Sequence, residues 1–292
     1  MSTSAILPPA PSTNRKKVTT HTLREKKTLA QPITMLTAYD FPMAQVLDRA
    51  EIDAILVGDS LGMVVLGYAN TLPVTMDEML HHCRAVRRGV QYALLIGDMP
   101  FLSYQVSPSE AIRNAGRFLQ EACMDAVKLE GGRERLETVR AIVSAGIPVM
   151  GHLGLTPQSV HQFGGFRPQG RTASTARAIL GDALLLQEAG CFSLVLESIP
   201  TRLAEHISKQ LEIPTIGIGA GIGCDGQVLV THDLLGLFDR FTPRFVKTYA
   251  HFHQDMLEAA QAYRQDVNGK SFPAPEHSIE MPDEEWETFL KS

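Results

Sequence analysis

Short apolar runs alternate along the chain with longer stretches whose apolar positions recur at helical spacing. The short runs predict strands at Ile33–Thr37, Ile55–Val57, Ala93–Gly97, Ala126–Leu129, Pro148–Gly151, Ser193–Leu196 and Thr215–Ile218, with Phe245–Lys247 as an eighth. Between them, helices are expected at Phe41–Ala50, Asp77–Val90, from Ser107-Pro108 onward, Glu134–Ala145, Thr172–Ala189 and Thr201–Leu211, and finally at His253–Val267. Val18–Lys27 reads as a polar helix before the first strand, with Thr20 or Thr22 as its cap. Thr75 is placed to cap the second of these helices. Ser107, Pro108 and Glu110 form a capping-box pattern at the third.

Repeated βα units imply a parallel sheet with right-handed crossovers. Eight of them without a composition break predict an α/β fold, a (β/α)8 TIM barrel in one domain with an N-terminal helical extension. The expected boundaries are a disordered extension over 1–17, the barrel over 18–268 and an acidic tail over 269–292. That tail holds the only Trp, Trp286, and both disorder and packing on a neighbour are open for it. Two loops, 61–75 and 152–171, exceed the usual length of structureless connections, which marks them as functional or disordered.

Five strands share one further property: each apolar run leads into a polar residue. Ile55–Val57 leads through Gly58 to Asp59 and Ser60, the third strand to Asp98, and the fourth through Lys128 to Glu130. The fifth leads to His152 and the sixth to Glu197. In a parallel sheet these residues gather at the C-terminal end, where ligands bind.

Composition narrows the picture without redirecting it. The 292 residues carry a formal net charge of -5, against a general nucleic-acid binder. Arg84, Arg87 and Arg88 lie on one expected helix and read as a solvated face. Four cysteines, Cys83, Cys123, Cys191 and Cys224, form no C-x-x-C pair, which points to a reducing compartment, and a cytoplasmic location is expected. No apolar run is long enough to span a bilayer. Met1–Asn14 lacks the layout of a signal peptide.

Two carboxylates on adjacent strand ends, Asp59 and Asp98, cannot both ionise cheaply without a proton or cation between them. An all-oxygen setting suits Mg²⁺, whereas two helix-capping aspartates would look the same in the sequence. Lys128 and Glu130 are two apart and share a face. They read as an anion site beside a metal, a structural ion pair or, for Lys128, a Schiff-base lysine. A carboxylate at an apolar strand end such as Glu197 can serve as a general base or as a cap. His152 is open between chemistry and structure.

Other motifs add less. The glycines from Gly217 to Gly223 do not fit a dinucleotide frame and follow a late strand, so close approach of backbone to a flat ligand is the simpler role. His81-His82 and His251-x-His253 lack helical ligand spacing and are expected at the surface. Gly58-Asp59-Ser60-Leu61 matches the GDSL hydrolase block, but none of the ten histidines follows an aspartate by three residues, so Ser60 reads as a hydrogen-bond donor.

The stretches MLTAYD (35–40), VGDSLGM (57–63), TLPVT (71–75), DMPF (98–101), KLEGG (128–132), GHLGLTPQS (151–159), GIGAG (217–221) and DGQVLV (225–230) closely resemble the ketopantoate hydroxymethyltransferase family, in its order, over about 18–249. GGFRPQG (164–170) and Ser198 depart slightly from its pattern. The resemblance implies Mg²⁺-dependent transfer of a one-carbon unit from 5,10-methylenetetrahydrofolate to 3-methyl-2-oxobutanoate, giving ketopantoate. Asp59, Asp98 and Glu130 match its metal-associated positions, and Asp59, Ser60, Asp98 and Lys128 its substrate contacts. Glu197 matches its proton acceptor, with His152 as a possible aid to proton transfer. It also implies a homo-oligomer, commonly a decamer. Two other classes stay open at this point: a Mg²⁺-dependent C–C lyase or aldolase of the phosphoenolpyruvate/pyruvate barrel type, and a non-catalytic oxo-acid binding protein.

Overall fold

The computed structural model describes residues 15–292; Met1–Asn14, and with them most of the expected extension, lie outside the described residues. Eight parallel strands close into a barrel in sequence order. They are β1 (Ile33–Thr37), β2 (Ala54–Val57), β3 (Leu94–Asp98), β4 (Ala126–Glu130), β5 (Val149–Gly154), β6 (Ser193–Glu197), β7 (Thr215–Ile218) and β8 (Gly226–Leu229). The helices are α1 (Thr20–Thr28), α2 (Phe41–Arg49), α3 (Leu61–Val64), α4 (Met76–Gly89), α5 (Pro108–Ala122), α6 (Leu136–Ser144), α7 (Val160–Phe163), α8 (Ala173–Glu188), α9 (Thr201–Gln210), α10 (Thr231–Leu234), α11 (Phe252–Asn268) and α12 (Asp283–Lys291). The expected barrel is therefore the observed one.

Three local expectations are corrected. The eighth strand is Gly226–Leu229, not Phe245–Lys247. Its residues close the barrel by pairing with β1, Ile33 beside Gly226, and with β7, Ile216 beside Gly226. The strand is short and starts on glycine, so it carries little apolar signal. Glycine is required there because a Cβ would lie 2.5 Å from the Ile33 carbonyl oxygen. α1 is capped by Thr19, whose hydroxyl accepts from the Thr22 N–H, while Thr22 closes the reciprocal bond from inside the first turn. At α5, Ser107 accepts from the Glu110 N–H, which is half of the expected box. Thr75 and Glu78 make the full reciprocal box at α4.

Strand alternation divides the buried residues into two layers. Ile55, Val57, Leu95, Val127, Leu129, Val149, Leu194 and Leu196 pack outward against the helices. Ile33, Met35, Ala54, Leu56, Leu94, Ile96, Ala126, Met150, Val195, Ile216 and Val228 fill the barrel interior. The same interior cluster includes Val18 and the fully buried Leu23 of α1, so the N-terminal segment seals the base.

The base is fastened by a repeated device. Asp53, Asp125 and Asp225 stand just before β2, β4 and β8. Each accepts an N–H at 2.8 Å from the preceding strand, from Thr34, Leu95 and Thr215 respectively. Each also takes one lysine of the N-terminal segment: Lys26 at 2.6 Å from Asp53, Lys17 at 2.6 Å from Asp125 and Lys27 at 2.8 Å from Asp225. Asp48 of α2 accepts the N–H groups of Gln91, Tyr92 and Ala93.

By its internal contacts the chain forms two compact units, one of residues up to Thr231 with Pro243–Val246, the other of His232–Thr242 with Lys247–Ser292. The second unit holds α11 and α12. Within it Tyr263 and Phe272 meet edge to face at 5.8 Å, and Trp286 stacks on Phe289 at 5.4 Å. The acidic tail is thus partly helical.

Candidate active site

Alternation also dictates where the charged residues go. Leu94 and Ile96 point into the barrel, so Asp98 does too. Ala126 places Lys128 and Glu130 inward, Met150 places His152, and Val195 places Glu197. Strand register sets their order around the mouth: Asp98 lies beside Lys128, Glu130 beside His152, and Gly154 beside Glu197. Asp59 follows β2 in the loop, and its N–H donates to Asp98 Oδ2 at 3.1 Å. Asp59, Asp98, Lys128, Glu130 and His152 are each at most 4% exposed.

Two charge clusters result. Lys128 Nζ lies 2.7 Å from Asp98 Oδ1. His152 stands between two acids, with Nδ1 3.4 Å from Glu130 Oε1 and Nε2 3.2 Å from Glu197 Oε2. These His152 contacts are long, and neither ring nitrogen makes a well-aligned hydrogen bond, so they hold by charge. Glu197 keeps 16% of its side chain exposed, at the rim. Ser60 opens α3 and its hydroxyl lies 2.8 Å from the Tyr39 hydroxyl. No histidine appears in that contact, in keeping with Ser60 as a hydrogen-bonding group.

The electrostatics follow from burial. Burial first, then the charges of Asp98 and Glu130, hold the Asp59 carboxyl well above the usual range. Asp98 is raised by burial as well, with Lys128 pulling the other way. Burial opposes the charge on Lys128, but Asp98, Glu130 and Asp59 outweigh it and keep the ammonium. An ammonium is not the nucleophilic form that a Schiff base at Lys128 would need. His152 is likewise disfavoured as a cation by burial and by Lys128, yet Glu130 and Glu197 bring it up to about 9.

Four carboxylates therefore share two cations. Among the described residues no three His, Cys, Asp or Glu side chains form a closed metal cage. Mg²⁺ is commonly held by one or two carboxylates together with substrate oxygens and waters. The donor set is all oxygen, and Asp59 and Asp98 repel each other in a buried place where a divalent cation would relieve them. The residues fit the ion.

Sequence reading missed two residues at the centre of this arrangement, Gln158 and Tyr104. Gln158 lies on the 3-10 turn Pro157–Ser159 in the long loop after β5. Its side-chain Nε2 donates to Asp59 Oδ2 at 2.9 Å, and its backbone N–H donates to Glu130 Oε2 at 3.0 Å. Tyr104, at 1% exposure, donates its hydroxyl to Gln158 Oε1 at 2.7 Å. The available signal was the unusual length of the loop. The late glycines serve the protein itself: a Cβ at Gly221 would lie 2.3 Å from Thr201, and Phe245 covers Gly219. Among the surface candidates, His82 is half-buried with Nδ1 2.7 Å from the Tyr39 carbonyl, and Arg84 pairs with Glu121.

The closed barrel is shared with a set of solved structures. A phosphoenolpyruvate phosphomutase from Streptomyces platensis subsp. rosaceus is 13% identical, with a TM-score of 0.59 covering 94% of this chain and 97% of that one. A phosphonopyruvate hydrolase solved with oxalate and Mg²⁺ is 12% identical, with a TM-score of 0.58 over 93% and 97%. At such identity the likeness defines the fold class alone, a (β/α)8 barrel. The particular family follows from sequence: the ketopantoate hydroxymethyltransferase profile matches residues 17–275, and the chain belongs to that family. Its relatives include the 3-methyl-2-oxobutanoate hydroxymethyltransferases of Syntrophus aciditrophicus, 57% identical over 90% of this chain and 97% of that protein, and of Moorella thermoacetica, 58% identical over 91% and 98%.

Proposed function

We propose that this chain transfers a hydroxymethyl group from 5,10-methylenetetrahydrofolate to 3-methyl-2-oxobutanoate, giving ketopantoate for pantothenate synthesis. The observation that carries the reading is the pairing of Asp98 with Lys128 and of His152 with Glu197 inside one barrel mouth, in a chain of this family.

Lys128 and the Ser60 hydroxyl are suited to bind the carboxylate of the oxo acid. Asp59 and Asp98, with Glu130 behind them, would hold Mg²⁺, which when bound supplies a Lewis acid for the oxo-acid oxygens. Glu197 takes the C3 proton. His152, held as a cation between Glu130 and Glu197, keeps the Glu197 carboxylate oriented and takes part in moving that proton. The C3 enolate then forms a bond to the folate-borne methylene carbon. The carbon–nitrogen bonds to that carbon break on the folate side, water supplies the hydroxyl oxygen, and tetrahydrofolate leaves.

Family membership disfavours the lyase reading, and the barrel likeness at 11–15% identity adds nothing to it. The test is C3 proton exchange of 3-methyl-2-oxobutanoate in D₂O with Mg²⁺, followed by product formation when methylenetetrahydrofolate is added. Exchange and folate-dependent product are expected. Cleavage without folate would favour the lyase, and binding without exchange a non-catalytic protein.

The same reading takes the protein as a cytoplasmic homo-oligomer, a decamer. Support comes from cysteines that are all free and from α11, whose Phe252, Met256, Tyr263 and Val267 form an exposed stripe at helical spacing. No helix among the described residues is long and apolar enough to cross a membrane. Light scattering that returns a monomer at micromolar concentration would overturn the assembly.

A further inference from the structure

Gln158 is an uncharged residue that reaches into the acid cluster, touching Asp59 with its side chain and Glu130 with its backbone N–H, and its amide is fully committed. Nε2 donates to Asp59 Oδ2 at 2.9 Å and to the Met99 carbonyl at 3.0 Å. Oε1 accepts from the Tyr104 hydroxyl at 2.7 Å and from Gln105 Nε2 at 3.3 Å. A primary amide offers two donors and two acceptor positions, and here all four are used. Turning the amide over would set its oxygen against the Asp59 carboxylate and the Met99 carbonyl, and its NH₂ against a hydroxyl and an amide that both donate. Only one orientation is tolerable in a site this buried.

The Tyr104 hydroxyl has a second task. It accepts the Glu130 N–H at 3.1 Å while donating to Gln158, so one ring fixes both the β4 end and the amide. The Gln158 backbone N–H closes the circuit on Glu130 Oε2. Asp59 follows β2, Glu130 ends β4 and Gln158 follows β5, so three separate strand ends are tied through one amide and one phenol.

Resting on the metal reading above, we infer that Gln158 and Tyr104 are positioning residues for the cation site, holding Asp59 and Glu130 in place for a divalent ion bound with the oxo acid. The chemistry explains why the tie is neutral. A lysine at this place would spend the negative charge of Asp59, and a glutamate would add a carboxylate against it. An amide held by a phenol orients the carboxylate and leaves its charge for the ion. Groups of this kind behind metal ligands typically matter by 10–100-fold in metal affinity.

The test is Mn²⁺ binding, followed by calorimetry and electron paramagnetic resonance, in wild type, Gln158→Met, Gln158→Glu and Tyr104→Phe, each saturated with 3-methyl-2-oxobutanoate. Thermal unfolding without metal runs alongside. Gln158→Met keeps length and loses the donor; Tyr104→Phe keeps the ring and loses only the hydroxyl. Expected are a roughly 10–100-fold weaker Mn²⁺ affinity in both, a greater loss in Gln158→Glu and a broadened spectrum of the bound ion in Tyr104→Phe. Variants that melt earlier but bind Mn²⁺ within twofold of wild type would overturn the inference and reduce the pair to packing. If Gln158→Glu does not fold, the other two variants decide. Wild type that binds no Mn²⁺ with the oxo acid would instead overturn the metal reading itself.

Discussion

The two ends of the barrel are built from the same residue types and balanced in opposite ways. At the base, Lys17, Lys26 and Lys27 meet Asp125, Asp53 and Asp225 one to one, and each aspartate also accepts a backbone N–H. At the mouth, Asp59, Asp98, Glu130 and Glu197 share Lys128 and His152. Charge that is matched and hydrogen-bonded serves to fix the chain. Charge left in excess in a buried place is a standing cost, retained where a ligand is to relieve it. The contrast locates function at the mouth without reference to any relative.

The largest effect that separates the ends is expected at Glu197. Glu197→Gln keeps the size of the side chain and removes its basic oxygen. It should lower C3 exchange by roughly 10²–10⁴-fold with the substrate still bound, and lower the thermal unfolding temperature only modestly, since His152 keeps Glu130. Exchange at the wild-type rate would move the base elsewhere, with His152 next to be tested.

Asp53→Ala addresses the base. It strips the Thr34 N–H, the Thr34 hydroxyl and Lys26 of their shared acceptor. A loss of about 2–3 kcal/mol in denaturant unfolding is expected from hydrogen bonds to a charged group, with exchange per folded molecule unaltered. A fall in exchange with stability intact would erase the distinction between the ends.

Asp98→Asn removes one hard anionic donor and leaves Lys128 short of its partner. A Mg²⁺ activation curve shifted to higher concentration is expected, and an unshifted curve would remove Asp98 from the cation site. The smallest effect on stability belongs to Asp59→Asn, which relieves repulsion in the mouth. Without metal this variant should melt a few degrees above wild type, roughly 1 kcal/mol, while losing its response to Mg²⁺. A lower melting temperature would mean that the Asp59 charge is already compensated.

The strands carrying Asp98, Glu130, His152 and Glu197 were legible because each sets its polar residue on an apolar run, and alternation settles the face. β8 was not, because Gly226, Gln227, Val228 and Leu229 are set by two neighbouring strands rather than by their own pattern. Phe245 drew attention as an apolar residue in a short run and in fact covers a glycine. Lys26 and Lys27 read only as polar helix residues, since their aspartates lie 27 and 198 positions away. Gln158 and Tyr104 were hidden for the same reason. A polar side chain becomes central when a loop folds back over a strand end, and no local spacing announces that return.

Closure of the barrel between Ile33 and Gly226 has a consequence for synthesis. The two positions are 193 residues apart, 226 less 33. At about 5–20 residues per second, β1 leaves the ribosome roughly 10–40 s before the strand that completes it. Throughout that interval one edge of the sheet offers open backbone groups to any passing strand. Lys27, in the segment that seals the base, likewise waits for Asp225, the residue just before that last strand. Lys26 can thus meet Asp53 early, while Lys27 is among the last to be fastened.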